Sequence, residues 1–74
     1  MNVLLGNVDV SALSLREQTC LRYLALGQKN QEIAESMGCT MHTVRSYIRI
    51  TMDKTGIRTR AGLASWYVQG GHAR

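Results

Sequence analysis

Between Asn30 and Arg60 the chain carries two short stretches of helical period with a glycine, Gly38, between them. Ile33, Ala34 and Met37 form an apolar stripe before that glycine, and Val44, Ile48 and Met52 form a row at i, i+4 and i+8 after it. Both spacings belong to one face of an α-helix. Gly38-Cys39 leaves room for only a tight turn, and glycine takes the positive φ that a sharp reversal needs. The small side chain of Ala34 lets the second helix approach the first closely. The sequence contains no proline, so its strongest helix breaker is missing and an all-helical fold is expected.

The second helix of this pair is cationic. Residues 40–60 hold Arg45, Arg49, Lys54, Arg58 and Arg60 against Asp53, a sum of +4, which equals the net charge of the whole chain. Residues 1–39 sum to −1, and residues 61–74 add Arg74. The apolar row takes one side of the helix and leaves His42, Arg45, Ser46 and Arg49 on the other. Two helices joined by a glycine turn define a helix-turn-helix, in which the second helix enters the major groove of DNA. A basic helix on a compact scaffold suits that polyanionic surface.

The rest of the chain supplies the scaffold. Residues 1–12 are mildly apolar and lack helical period. They are read as an N-terminal arm that either covers part of the core or frays. Ser14-Leu15-Arg16-Glu17 has the form of a capping box, with Leu13 placed to staple against the first turn. Cys20, Leu21, Leu24 and Ala25 then recur at helical spacing, and Gly27 stands where a helix ends. Asn30 is expected to cap the next helix and Thr40 the one from Met41 to about Thr55. A last helix is expected from about Thr59 to Gln69. Its Leu63, Ala64, Trp66, Tyr67 and Val68 are more apolar than one buried face requires. Residues 13–70 therefore form one all-α domain of four helices, and residues 71–74 are a tail.

Seventy-four residues are too few for a catalytic cleft with a scaffold around it. No Ser-His-Asp arrangement, Gly-rich phosphate loop or carboxylate cluster appears, so no enzyme activity is expected. Cys20 and Cys39 are isolated, and neither His42 nor His72 has metal-ligand spacing with them. The cysteines are read as small apolar residues, and no metal or other cofactor is expected. The N-terminus has no signal-peptide pattern and no stretch reaches transmembrane length, so a cytoplasmic protein without membrane contact is expected.

Leu13-Ser14-x-Arg16-Glu17, Leu21, Leu24-Ala25-x-Gly27, Asn30-x-Glu32-Ile33-Ala34, Thr40-x-x-Thr43-Val44-Arg45 and Gly56-Ile57-Arg58-x-Arg60 follow one another without gaps. In these residues the chain resembles the LuxR-type (GerE-like) helix-turn-helix DNA-binding domain. It implies a four-helix bacterial domain, transcriptional regulation, and dimerisation through the last helix. Arg45 stands where the family has a Lys or Arg that reads base edges, with Ser46 and Arg49 in neighbouring groove-facing positions. Arginine can grip guanine O6 and N7 with two bonds. Thr40 and Thr43 lie at the N-terminus of the recognition helix, where hydroxyls and free amides suit a phosphate. Tyr47 replaces a frequent backbone-contacting His, and its ring either does likewise or caps the core. Lys54 and Arg60 complete the expected phosphate contacts. His42 and Met41 stand where Lys and Glu are common. Ile50 and Thr51 invert the usual polar and apolar order, and Thr55 takes a usual Leu position.

Leu63, Trp66 and Tyr67 are the expected dimer interface. Two copies paired there would place two recognition helices in successive major grooves of duplex DNA. Domains of this kind usually follow a receiver or ligand-binding domain. None precedes this one in the sequence, so a stand-alone regulator is expected. The alternative is an antagonist that forms a heterodimer with a full-length relative and blocks it. RNA fits less well, because no aromatic stacking platform accompanies the basic face.

Overall fold

A computed structural model describes residues 8–71. A short 3-10 turn, Val10–Ala12, leads into four helices: α1 (Leu15–Ala25), α2 (Asn30–Met37), α3 (Met41–Thr55) and α4 (Arg60–Val68). No strand occurs among the described residues. Helix α1 packs against the other three, and α2 packs against α3. Leu13, Cys20, Leu21, Leu24, Ile33, Ala34, Val44, Ile48, Leu63 and Trp66 are the buried apolar core.

The expected capping box is present. The Glu17 amide donates to Ser14 Oγ at 3.1 Å, and the Ser14 amide donates to Glu17 Oε1 at 2.8 Å. The staple expected of Leu13 takes a different form. Its partner position in the first turn is Gln18, whose amide group donates to the carbonyls of Leu13 (3.0 Å) and Val10 (3.1 Å), while Leu13 itself enters the core. Asn30 is the first residue of α2 rather than its cap. Lys29 occupies the cap position, and its amide donates to Glu32 Oε1 at 2.7 Å. That bond engages Glu32 at the start of its own helix.

Between α2 and α3, Gly38 adopts φ +67°, in the left-handed region. The Thr40 hydroxyl then accepts from the Thr43 amide at 3.2 Å, capping α3 as expected.

The inner side of α3 holds two threonines that departed from the apolar pattern. Thr51 and Thr55 are fully buried. Each hydroxyl donates to the carbonyl four residues earlier, Thr51 to Tyr47 (2.7 Å) and Thr55 to Thr51 (2.8 Å). The backbone thus satisfies both hydroxyls, and the remainder of each side chain packs as a small apolar group. Ile50 takes the complementary place and stands at the surface.

The two edges of the domain meet. The Val10 amide donates to the Gly71 carbonyl at 2.7 Å, and a Cβ built on Gly71 would lie 2.7 Å from the Val10 Cβ. Gly71 also has φ +61°, so glycine is required there for conformation and for space. The described end of the expected arm therefore packs on the domain. The rest of that arm, residues 1–7, and His72, Ala73 and Arg74 of the expected tail lie outside the described residues.

Candidate nucleic-acid interface

Helix α3 is held along its inner side by Val44, Ile48, Thr51 and Thr55, all buried. Its opposite side is open. Arg45 and Arg49, one turn apart, are both exposed, and with His42 and Ser46 they line a shallow depression. The three residues expected to read bases are therefore brought together on one outward face, clear of α4. At one end of that face the Thr40 and Thr43 hydroxyls lie 3.1 Å apart. Thr40 is exposed and Thr43 half-buried.

The other expected phosphate contacts have partners within the chain. Tyr47 is half-buried, and its hydroxyl accepts a long bond, 3.4 Å, from Arg16 Nε. That bond raises the proton affinity of the Arg16 guanidinium. Lys54 Nζ lies 2.9 Å from Glu17 Oε1. Glu17 is 6% exposed, and its burial acts to raise the pKa. The bonds from Lys54 and Ser14 outweigh that effect and hold the carboxyl below its ordinary value of 4.5. Arg60 donates to Asn30 Oδ1 at 2.6 Å and to the Gln28 carbonyl at 2.9 Å, so it ties the start of α4 to the α1–α2 loop. Periodicity gave no sign of this clasp, because it joins residues thirty positions apart in a loop and at a helix start.

The expected dimer residues separate in the same way. Leu63 is fully buried and Trp66 is 4% exposed, both within the protomer's own core. Both therefore pack within one copy of the chain. Five apolar side chains on a short helix looked like an excess, but α4 packs against α1 and buries Leu63 and Trp66. Tyr67 remains half-buried beside Leu15, Gln18, Thr19 and Arg22 of α1. The outward side of α4 carries Ala61, Ser65 and Val68, with Val68 70% exposed.

Cys20 is buried and its thiol is pushed up to about 11, chiefly by that burial. Cys39 is half-buried, and both thiols are free, as their reading as small apolar residues requires. No group of three or more His, Cys, Asp or Glu side chains among the described residues could hold a metal ion. No helix among them is long and apolar enough to cross a membrane.

Comparison with known proteins agrees with this geometry. The family model described as bacterial regulatory proteins, luxR family, matches residues 11–67. The HTH-type transcriptional activator RamA of Corynebacterium glutamicum is 50% identical over 52 residues. That match takes in 70% of this chain and 18% of the relative.

Proposed function

The chain belongs to the luxR family of bacterial regulatory proteins, a family of DNA-binding transcription regulators, and from that premise we propose that it recognises a specific duplex sequence as a dimer. The observation that carries the proposal is the shared outward face of Arg45, Ser46 and Arg49 on a helix anchored along its other side. In the major groove, Arg45 and Arg49 would bond base edges, and Ser46 would add a short hydroxyl contact. Thr40, Thr43 and the Tyr47 hydroxyl would meet phosphates, which fix register without reading sequence.

Dimerisation uses the outward side of α4, where Val68 is exposed and Ala61 and Ser65 permit close approach of a second helix. Pairing there would set two recognition helices about 34 Å apart, one turn of the duplex. The compartment is the cytoplasm, where bacterial DNA is found. A transcriptional activator as a relative makes control of transcription the output.

The test selects bound sequences from random duplexes and then titrates the winner against salt. Binding that weakens steeply with salt, on a two-fold symmetric site, is the expected result. A pool that shows no enriched sequence overturns specific recognition. A chain that ignores duplex but forms a stable complex with a full-length member of the family would establish the antagonist role instead.

A further inference from the structure

Two of the cations that the sequence places beside the recognition helix are already engaged. Lys54 is paired with Glu17, and Arg60 is bonded to Gln28 and Asn30. On the flank of α3 that faces α1, a different cation is available. Arg16 stands one residue before Glu17 in the first turn of α1. That turn lays two consecutive side chains along α3, Glu17 against Lys54 and Arg16 against Tyr47. Tyr47 and Lys54 are separated by two helical turns, so both pairs border the same flank. Arg16 is exposed, and the bond to Tyr47 engages Nε, one nitrogen of a guanidinium with five N–H donors. The neighbouring carboxylate, Glu17, is occupied by Lys54 and the Ser14 amide.

We propose that Arg16 is a phosphate-contacting residue of the DNA interface, its guanidinium steadied by the Tyr47 hydroxyl at the edge of the recognition helix. The inference rests on the DNA-binding role set out above. An α-helix with its side chains is about 10–12 Å across and the major groove is about 12 Å wide, so a helix seated in the groove has a phosphate strand along each flank. A cation fixed beside one flank is in position to meet that strand. Arginine suits the task, because its planar fork can hold the tyrosine hydroxyl through one N–H and phosphate oxygens through others. Contact with phosphate carries no sequence information, so Arg16 adds affinity rather than selectivity.

The experiment compares the full chain with R16A, R16Q and R16K on the selected duplex and on a scrambled duplex of equal length. Affinity is read by fluorescence anisotropy between about 50 and 200 mM salt, with thermal unfolding of each variant alongside. R16A should bind both duplexes about tenfold more weakly, by the same factor on each, and the slope of log affinity on log salt should fall by about 0.9. R16Q retains a donor for Tyr47 and should show the same fall in slope with unchanged unfolding, which separates lost charge from a loosened fold. R16K should keep the slope and part of the affinity. Unchanged affinity and slope in both R16A and R16Q would overturn the role of Arg16 and leave DNA binding standing. A loss confined to the selected duplex would overturn the phosphate assignment by making Arg16 a reader of bases. No salt-dependent duplex binding by the unsubstituted chain would overturn both roles together.

Discussion

The outward face of α3 and the flank it turns towards α1 hold cations of equal charge and unequal availability. Arg45 and Arg49 project from a depression with no carboxylate among the residues that line it. Lys54, five residues beyond Arg49, is paired with a buried glutamate of another helix. The outward arginines are therefore available to a ligand, whereas Lys54 contributes to the fold. Substitutions on the two sides should separate cleanly into losses of stability and losses of binding.

The largest effect belongs to the core. Trp66→Ala removes a side chain that is 4% exposed and should cost about 3–5 kcal/mol, enough to unfold much of a domain of this size. Urea denaturation checks it. If Trp66 lay at a surface between two copies, the loss would depend on protein concentration; burial within one protomer predicts a loss that does not. On the outer side, Arg45→Ala and Arg49→Ala should each cost about 1–3 kcal/mol of binding to the selected duplex. Their urea midpoints should match the parent, since neither side chain is buried. An arginine variant that melts early would break the division between the two sides.

Much of this division was legible in the sequence. Val44 and Ile48 at helical spacing placed the inner side of α3, and by subtraction the outer one. The Ser14–Glu17 box fixed the start of α1 because both partners are three residues apart and local. What could not be read were the pairings across the fold. Lys54 meets Glu17 across 37 positions, and Arg60 meets Asn30 across 30. Charge counted along the chain assigns all five cations of residues 40–60 to one surface, whereas the fold withdraws two of them. Burial of Thr51 and Thr55 was hidden for another reason. Their hydroxyls bond the helix's own carbonyls, so a residue type that usually marks solvent is accommodated in the core.

The flank towards α1 has a pH signature. Glu17 is held below its ordinary value of 4.5, so it binds protons less readily folded than unfolded. The stability it contributes is fully present above about pH 4.5 and is lost as pH falls through the lowered folded value. Glu17→Gln should remove that contribution, about 1 kcal/mol at neutral pH given that Lys54 is 39% exposed. Urea midpoints for parent and variant should therefore differ at about pH 7 and converge towards about pH 3. A constant gap across that range would mean that Glu17 acts through its cap geometry and not through its charge.

The smallest effect tests the buried threonines. Thr51→Val replaces a hydroxyl by a methyl group of similar shape. The bond lost is the one to the Tyr47 carbonyl, which is an acceptor of the helix ladder as well. Removing a satisfied donor in this way should change stability by less than about 1 kcal/mol, in either direction. Thr55→Val differs chiefly in the acceptor it removes, because the Thr55 hydroxyl, besides a long second donation to the Met52 carbonyl at 3.5 Å, accepts from the Ile57 amide at 3.2 Å as the chain leaves α3. That amide would lose its partner, and a cost of about 1 kcal/mol is expected. The comparison of the two valines isolates the turn after α3 from the packing beneath it. Equal effects would show that the Thr55 hydroxyl does no more for the α3–α4 connection than an ordinary buried methyl group.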